Sequence, residues 1–195
     1  MADPKGLPYG RPPTQAPINQ FVDERRRSVT EDAFGWVSPG HIYGIDTTVA
    51  PSDGALHVNP IGPLVRNTLV NRCRIRVSTF AATTITYTMI YVRDLVRKTL
   101  TLVPGTKFGH DATSNAVKTG SFTTTIKLLA GGDYWLGLVS IGGAPTVAGF
   151  GSTSNFMDRH VISGQTSVPT TINYADLTVA QGVIPGVVYY HSNVI

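Results

Sequence analysis

Cysteine is almost absent from this chain. Cys73 is the only one in 195 residues, so no disulfide can form within the chain, and its strand-like neighbours predict a small, buried, apolar side chain. No apolar run approaches the roughly 18 residues of a membrane-spanning helix, and the first residues lack the apolar core of a signal peptide. We therefore expect a protein that folds in the cytoplasm and is not exported through a signal peptide.

Charged residues are also scarce, at 14% of the chain against about 25% in an average domain. The formal net charge is +4, and the five basic and five acidic residues of positions 1–40 cancel, so the excess lies in the remainder. An excess this small and this diluted does not indicate a nucleic-acid-binding protein. The abundance of glycine, threonine, valine and serine is typical of a β protein with many short turns.

Residue patterns for catalysis and metal binding are missing. The five histidines have no metal-site spacing, and the chain has neither a Gly-x-Ser-x-Gly elbow nor a phosphate-binding loop. His110-Asp111 is predicted to be a surface pair in a loop, and Asp53 and Asp133 are predicted to cap turns. The sequence leaves open the possibility that the fold brings two aspartates together as the catalytic carboxylates of a glycosidase. The sequence itself predicts no catalytic, cofactor-binding or metal-binding residue, no cofactor and no enzyme.

What the chain does have is strand periodicity. Residues 121–141 are predicted to form two strands joined by a tight turn at Gly131-Gly132. Aromatic residues on these and neighbouring strands either pack in the core or form a sugar-stacking platform, and their strong alternation favours the core: Tyr87, Tyr91, Tyr134 and Trp135. Strands are predicted at 41–49, 55–58, 61–65, 69–80, 83–93, 98–103, 122–129, 134–141, 168–172 and 187–191. This pattern predicts an all-β fold, an antiparallel, jelly-roll-like β-sandwich with an extended N-terminal arm.

Alternation is clearest along two consecutive strands. In the first, Cys73, Ile75 and Val77 are predicted to face the core, while the arginines at 72, 74 and 76 face water or an acidic partner, because three unpaired buried arginines would be too costly. In the second, apolar residues at 85, 87, 89 and 91 alternate with threonines at 84, 86 and 88, which predicts one buried and one exposed face.

Residues 1–40 are predicted to form an extended arm. Five prolines before residue 18 favour polyproline-like backbone, and a short helix fits only within residues 21–34. The arm holds the predicted partner-binding residues, Pro8, Tyr9, Arg11, Pro12, Pro13, Arg25, Arg26 and Arg27, although the three consecutive arginines also fit a solvated, partly paired charge run. Residues 41–150 are predicted to be the sandwich. Residues 151–195 are predicted to be a long polar loop and a C-terminal strand that completes or extends the sandwich.

Three motifs occur in order: RCRIRV at residues 72–77, Pro104-Gly105-Thr106, and GDYWLGLVS at residues 132–140. Residues 41–149 thereby resemble the β-sandwich modules of tailed-bacteriophage structural proteins, of tail-fibre, appendage or head-decoration type. The resemblance implies a non-enzymatic virion protein without catalytic residues, and it implies a homotrimer. Residues 1–40 and the region after Phe150 depart from the family pattern.

Arm and module together predict a head decoration or cement protein, made in the host cytoplasm and located in the virion. Long peptide arms become ordered on a partner's surface, and the expected partner is the major capsid protein or another virion protein. The alternative is a short fibre, receptor-binding or adaptor protein that contacts host glycans. A glycan hydrolase is the third hypothesis. Neither nucleic acid nor a membrane is an expected partner.

Overall fold

The computed structural model describes residues 36–37, 47–64, 67–150, 159–180, 184–185 and 188–190, whose strands form two antiparallel sheets, A and B. The predicted all-β, antiparallel sandwich is confirmed. Within those residues, no helix is long and apolar enough to cross a membrane. The strands are β1 (Trp36–Val37), β2 (Thr47–Val49), β3 (Leu56–Pro63), β4 (Thr68–Thr79), β5 (Ile85–Asp94), β6 (Thr99–Leu102), β7 (Phe108–Asp111), β8 (Ala116–Leu128), β9 (Asp133–Ile141), β10 (Thr146–Phe150), β11 (Arg159–Ile162), β12 (Thr171–Asn173), β13 (Thr178–Ala180), β14 (Ile184–Pro185) and β15 (Val188–Tyr190).

Sheet A is built around the long strand β4. β8 pairs along one edge of β4, and β15 and β10 pair one after the other along the opposite edge. β1 extends the sheet beyond β15, and β2 and β14 extend it beyond β10. The predicted alternation along β4 is confirmed, because Cys73, Ile75 and Val77 are buried while the neighbouring arginines are exposed or half-buried.

Sheet B has the strand order β12-β6-β5-β9-β3-β11-β13, and β7 also pairs with β5. Its two edge strands, β12 and β13, are joined by residues 174–177, which contain a single 3-10 turn. Such a link spans at most about 18 Å, whereas six strand spacings in a flat sheet amount to about 29 Å. Sheet B is therefore strongly curled, with its edges brought towards each other.

Two hydrophobic clusters fill the fold, one on each face of sheet B. The first lies between the sheets, where residues of β4 such as Cys73 and Ile75 pack with Ile90 and Leu136. The second fills the inside of the curl and consists of Leu56, Val58, Met89, Tyr91, Leu100, Trp135, Val139 and Ile172. The segment between β11 and β12 covers this second cluster, because the Tyr91 hydroxyl donates to the carbonyl oxygen of Pro169 at 2.9 Å.

The two strands and the tight turn predicted at residues 121–141 are confirmed, but the two strands do not pair with each other as a hairpin. β8 pairs with β4 in sheet A and β9 pairs with β3 and β5 in sheet B, so the intervening turn carries the chain from one sheet to the other. The turn binds the end of β3: the Gly131 N–H donates to the Leu64 carbonyl at 2.8 Å, and the Leu64 N–H donates to the Gly132 carbonyl at 3.2 Å. Gly131 has a φ of 78°, which favours glycine.

The prediction that β5 has one exposed face is also wrong. Thr86 and Thr88 are fully buried between the sheets, where their hydroxyls lie 2.9 Å from Ser140 Oγ and 3.1 Å from His110 Nε2. A buried hydroxyl is tolerated when it has a hydrogen-bond partner. The strand is therefore buried on the polar face as well as on the apolar one.

Several element boundaries differ from the predicted ones. The strands predicted at 55–58 and 61–65 form the single strand β3, whose pairing with β9 shifts register between Pro60 and Gly62. The predicted polar loop after Phe150 contains β11, which pairs with both β3 and β13. The periodicity did not predict β1, β7, β10, β13 or β14, which are short strands, and β1 lies within the predicted arm. Apart from residues 36–37, the predicted arm and helix lie outside the described residues.

Candidate functional site

Three arginines form a row on the outer surface of sheet A. Alternate residues of a strand share a face and lie about 6.7 Å apart, so Arg72, Arg74 and Arg76 extend over about 13 Å along β4. On β8, the residues directly opposite them are Ser121, Thr119 and Val117. We call these six residues the arginine face.

The arginine face carries charge of one sign. The described strands of sheet A contain five basic residues and no acidic one, whereas those of sheet B contain two basic and three acidic residues. Arg72 and Arg76 are exposed, and neither has an ion-pair partner among the described residues. Like charges on one sheet face repel each other. An acidic partner would relieve that repulsion, so the surface suits docking to acidic protein.

Cys73 and His110 have the residue types of a nucleophile and its base, and Sγ and Nε2 lie 3.5 Å apart. Burial raises the pKa of the Cys73 thiol to about 11, although hydrogen bonds to Thr88 and Gly120 oppose this. Burial, with a smaller effect of Lys118, lowers the pKa of His110 to about 4. Both shifts favour neutral side chains, whereas an activated pair needs a thiolate.

The Cys73–His110 pair is therefore part of the core between the sheets. The prediction that Cys73 is buried in a strand is confirmed. The prediction that His110 lies on the surface is wrong, because β7 pairs with β5 and places the imidazole against Thr88.

The two aspartates predicted to cap turns have different partners. Asp53 Oδ1 accepts from the Gly142 N–H at 3.0 Å, which confirms its predicted role as a turn cap. Asp133 does not cap a turn: it begins β9 and pairs with Arg93 of β5, with Oδ2 at 3.2 Å from Nη1. Among the residues that the structure describes, no group of three or more His, Cys, Asp or Glu side chains could hold a metal ion.

Aromatic side chains meet this ion pair at one end of the curled sheet. The ring of Trp135 lies 4.8 Å from that of His160 on β11 and 6.0 Å from that of Tyr174 in the 3-10 turn, measured between centroids. The Arg93 guanidinium carbon lies 5.1 Å from the centre of the Tyr174 ring. We call Arg93, Asp133, Trp135, His160 and Tyr174 the aromatic end. Trp135 is its buried floor, at 5% exposure, and the other four side chains are partly exposed.

The four aromatic residues considered as a sugar-stacking platform do not share one surface. Tyr91, Tyr134 and Trp135 are buried, which confirms the core prediction for them, and Tyr87 is half-buried. Tyr134 packs between the sheets, whereas Trp135 packs inside the curl. The aromatic partners of Trp135 at the aromatic end come from residues 159–180, where no local pattern indicated that they would meet it.

The structure does not describe the predicted partner-binding residues. Pro8, Tyr9, Arg11, Pro12, Pro13, Arg25, Arg26 and Arg27 all lie outside the described residues. The period-two spacing did predict the three arginines of the arginine face, but not the β8 residues opposite them.

A scan against protein-family models and a search of curated proteins found no match to this chain.

Proposed function

We propose that this chain is a non-enzymatic structural protein of a tailed-phage virion, and that it binds the head as a homotrimeric decoration protein. The observation that carries the proposal is the arginine face. The strand fixes the backbone beneath this row of guanidinium groups, so only side chains have to adjust when the row docks on an acidic patch of the shell. The N-terminal arm would add a second attachment by lying across neighbouring capsid subunits.

The motifs behind the phage resemblance support this role through the fold. Residues 72–77 contribute their apolar positions to the core between the sheets. Thr106 is buried and its hydroxyl accepts from the Ile90 N–H at 3.1 Å, and Tyr134, Trp135 and Leu136 are buried as well. The motif positions named here serve packing, while Arg72 and Arg76 of the first motif are exposed on the outer face of sheet A.

The test is binding of the full chain to purified phage heads that lack it, measured by co-sedimentation over a salt series. We expect Arg72→Glu with Arg76→Glu to weaken binding at least tenfold, and we expect the wild-type affinity to fall as salt is raised. The matched control is Arg97→Glu with Lys107→Glu, which makes the same change in net charge on exposed residues outside sheet A. The control should bind like the wild type.

A third variant lacks residues 1–20 and tests the arm separately. We expect lower occupancy on the heads with the fold intact. If neither the arginine substitutions nor the deletion changes binding, or if the wild type does not bind heads at all, the decoration role is refuted.

The second candidate is a short fibre or receptor-binding protein that contacts host glycans. The aromatic end favours it, because aromatic rings beside a few fixed polar groups are typical of small-ligand sites. A glycan array with the purified chain tests this role without any virion component.

A further inference from the structure

We propose that the aromatic end binds a neutral saccharide, an inference that rests on the second of the two proposed functions. Three buried polar atoms at this place have no hydrogen-bond partner among the described residues: Arg93 Nε, Trp135 Nε1 and Tyr174 Oη. Buried polar groups in folded proteins nearly always have a partner, because an unpaired one destabilises the fold. Three of them around one aromatic cluster indicate a place where a ligand would supply the missing partners.

The backbone beside Trp135 is irregular in a way that fits this role. Pro60 lies opposite Trp135 on the neighbouring strand, and the register of β3 against β9 shifts between Pro60 and Gly62. Such irregularities bend a strand, re-aim its side chains and are enriched next to binding sites. The shift therefore places an irregularity of β3 beside the floor of the aromatic end.

The hydrogen-bonding atoms define the ligand's chemistry. Indole Nε1–H and guanidinium Nε–H only donate, while the Tyr174 hydroxyl donates and accepts. The ligand must therefore present acceptors. The carboxylate of Asp133 lies beside these donors and only accepts, so a ligand group that both accepts and donates fits best, and a hydroxyl has that property.

Two further features favour a saccharide. The rings of His160 and Tyr174 flank the indole and are partly exposed, so they offer apolar surface to the C–H face of a sugar. Arg93 is already neutralised by Asp133 at 3.2 Å, so a free anion would gain little from the guanidinium and would lie close to a carboxylate. A neutral polyhydroxyl ring satisfies all of these groups together.

The chain offers a direct readout, because it has two tryptophans, Trp36 and Trp135. The ¹⁵N-labelled full chain therefore gives two indole N–H signals, which Trp36→Phe assigns. The probes are methyl glycosides of the common hexoses and N-acetylhexosamines, with sodium acetate, inorganic phosphate and glycerol as separate arms. We expect a saturable shift of the Trp135 signal with at least one glycoside, and no shift of the Trp36 signal.

Two variants link the shift to the aromatic end. Tyr174→Phe removes one hydroxyl and keeps the ring, and we expect it to weaken glycoside binding about 3- to 10-fold. Arg93→Lys keeps the ion pair with Asp133 but lacks the Nε–H and the planar guanidinium, and we expect a loss of similar size. The control is Tyr87→Phe, since Tyr87 lies towards the other end of β5 and has Lys107 at 5.6 Å from its ring. The remaining amide spectrum reports whether each variant is folded.

The proposal is overturned if no glycoside shifts the Trp135 signal, if acetate, phosphate or glycerol shifts it as strongly, or if Tyr87→Phe weakens binding as much as Tyr174→Phe. It is also overturned if both aromatic-end variants are folded and bind like the wild type. None of these results bears on the attachment of the arginine face to phage heads, which the sedimentation test addresses separately.

Discussion

Mild acid should destabilise this protein through two buried histidines. His57 is 4% exposed and His110 is 2% exposed. Burial lowers the pKa of each imidazole from 6.5 to about 4, and Arg159 near His57 and Lys118 near His110 act in the same direction. The unfolded chain takes up these two protons as the pH falls through about 6.5, whereas the folded chain resists them until about pH 4. Their stabilising contribution is therefore complete above pH 6.5 and is lost as the pH falls towards 4.

Linkage between protonation and folding gives the size of the effect. Because each pKa falls from 6.5 to about 4, each histidine accounts for a loss of about 2 kcal/mol between pH 7.5 and 5.0, and the two together account for about 4 kcal/mol. Carboxylates with ordinary pKa values near 4 contribute little above pH 5. Because a typical domain is stable by about 5–15 kcal/mol, a loss of this size is a large fraction of the total.

The assay is urea unfolding, followed by tryptophan fluorescence, at a series of pH values from 7.5 to 5.0. His57→Gln and His110→Gln should each reduce the pH-dependent loss by about 2 kcal/mol, and the double variant should remove about 4 kcal/mol of it. The readout is the change of the unfolding free energy with pH, because each substitution also changes the stability at neutral pH. If the single variants lose as much stability as the wild type over this range, the imidazoles are not buried in neutral form and the reasoning is refuted.

Two further predictions concern the two cores. Burial raises the pKa of Cys73 to about 11, so iodoacetamide at pH 8 should leave the thiol of the native protein unmodified and should label it stoichiometrically in urea. Mass spectrometry measures the labelling, and rapid labelling of the native protein would contradict this prediction. Gly137→Ala should destabilise the fold by about 1–3 kcal/mol, because a Cβ there would overlap the Met89 side chain and lie 3.0 Å from Tyr91 Cε2. Urea unfolding measures the effect, and an unchanged midpoint would contradict the prediction by showing that the inside of the curl can adjust.

Local periodicity predicted which side of β4 is buried, because successive side chains of any strand point to opposite faces. It could not predict which strands pair. The apolar strands on either side of Gly131-Gly132 have the pattern of a hairpin, yet they belong to different sheets. The first pairs with β4, and the second pairs with β3, to whose end the turn bonds through Leu64. Pairing partners are set by contacts between residues distant in sequence, which a local pattern does not contain.

The threonines of β5 and His110 show the same limit for buried polar groups. Thr88 has no feature in the sequence that marks it as buried. Its hydroxyl can be buried because β7, some twenty residues later, supplies a hydrogen-bond partner, His110 Nε2, at 3.1 Å from Thr88 Oγ1. The aromatic end is a further case, since Arg93, Trp135 and Tyr174 come from three separate segments. The three arginines of the arginine face, by contrast, lie on a single strand and could be predicted from their spacing, whereas the residues opposite them on β8 could not.

The curl of sheet B makes the order of synthesis important. Val58 pairs with His160, and Leu100 pairs with Ile172. The strands β3 and β6 are therefore synthesised long before the strands that pair with them, β11 and β12. Until residues 159–180 have left the ribosome, the apolar surface around Met89, Tyr91 and Trp135 lacks its cover. Pairing across such distances folds slowly, and exposed apolar strands bind chaperones or one another in the meantime. A nascent chain interrupted before β11 would therefore carry its most aggregation-prone surface uncovered.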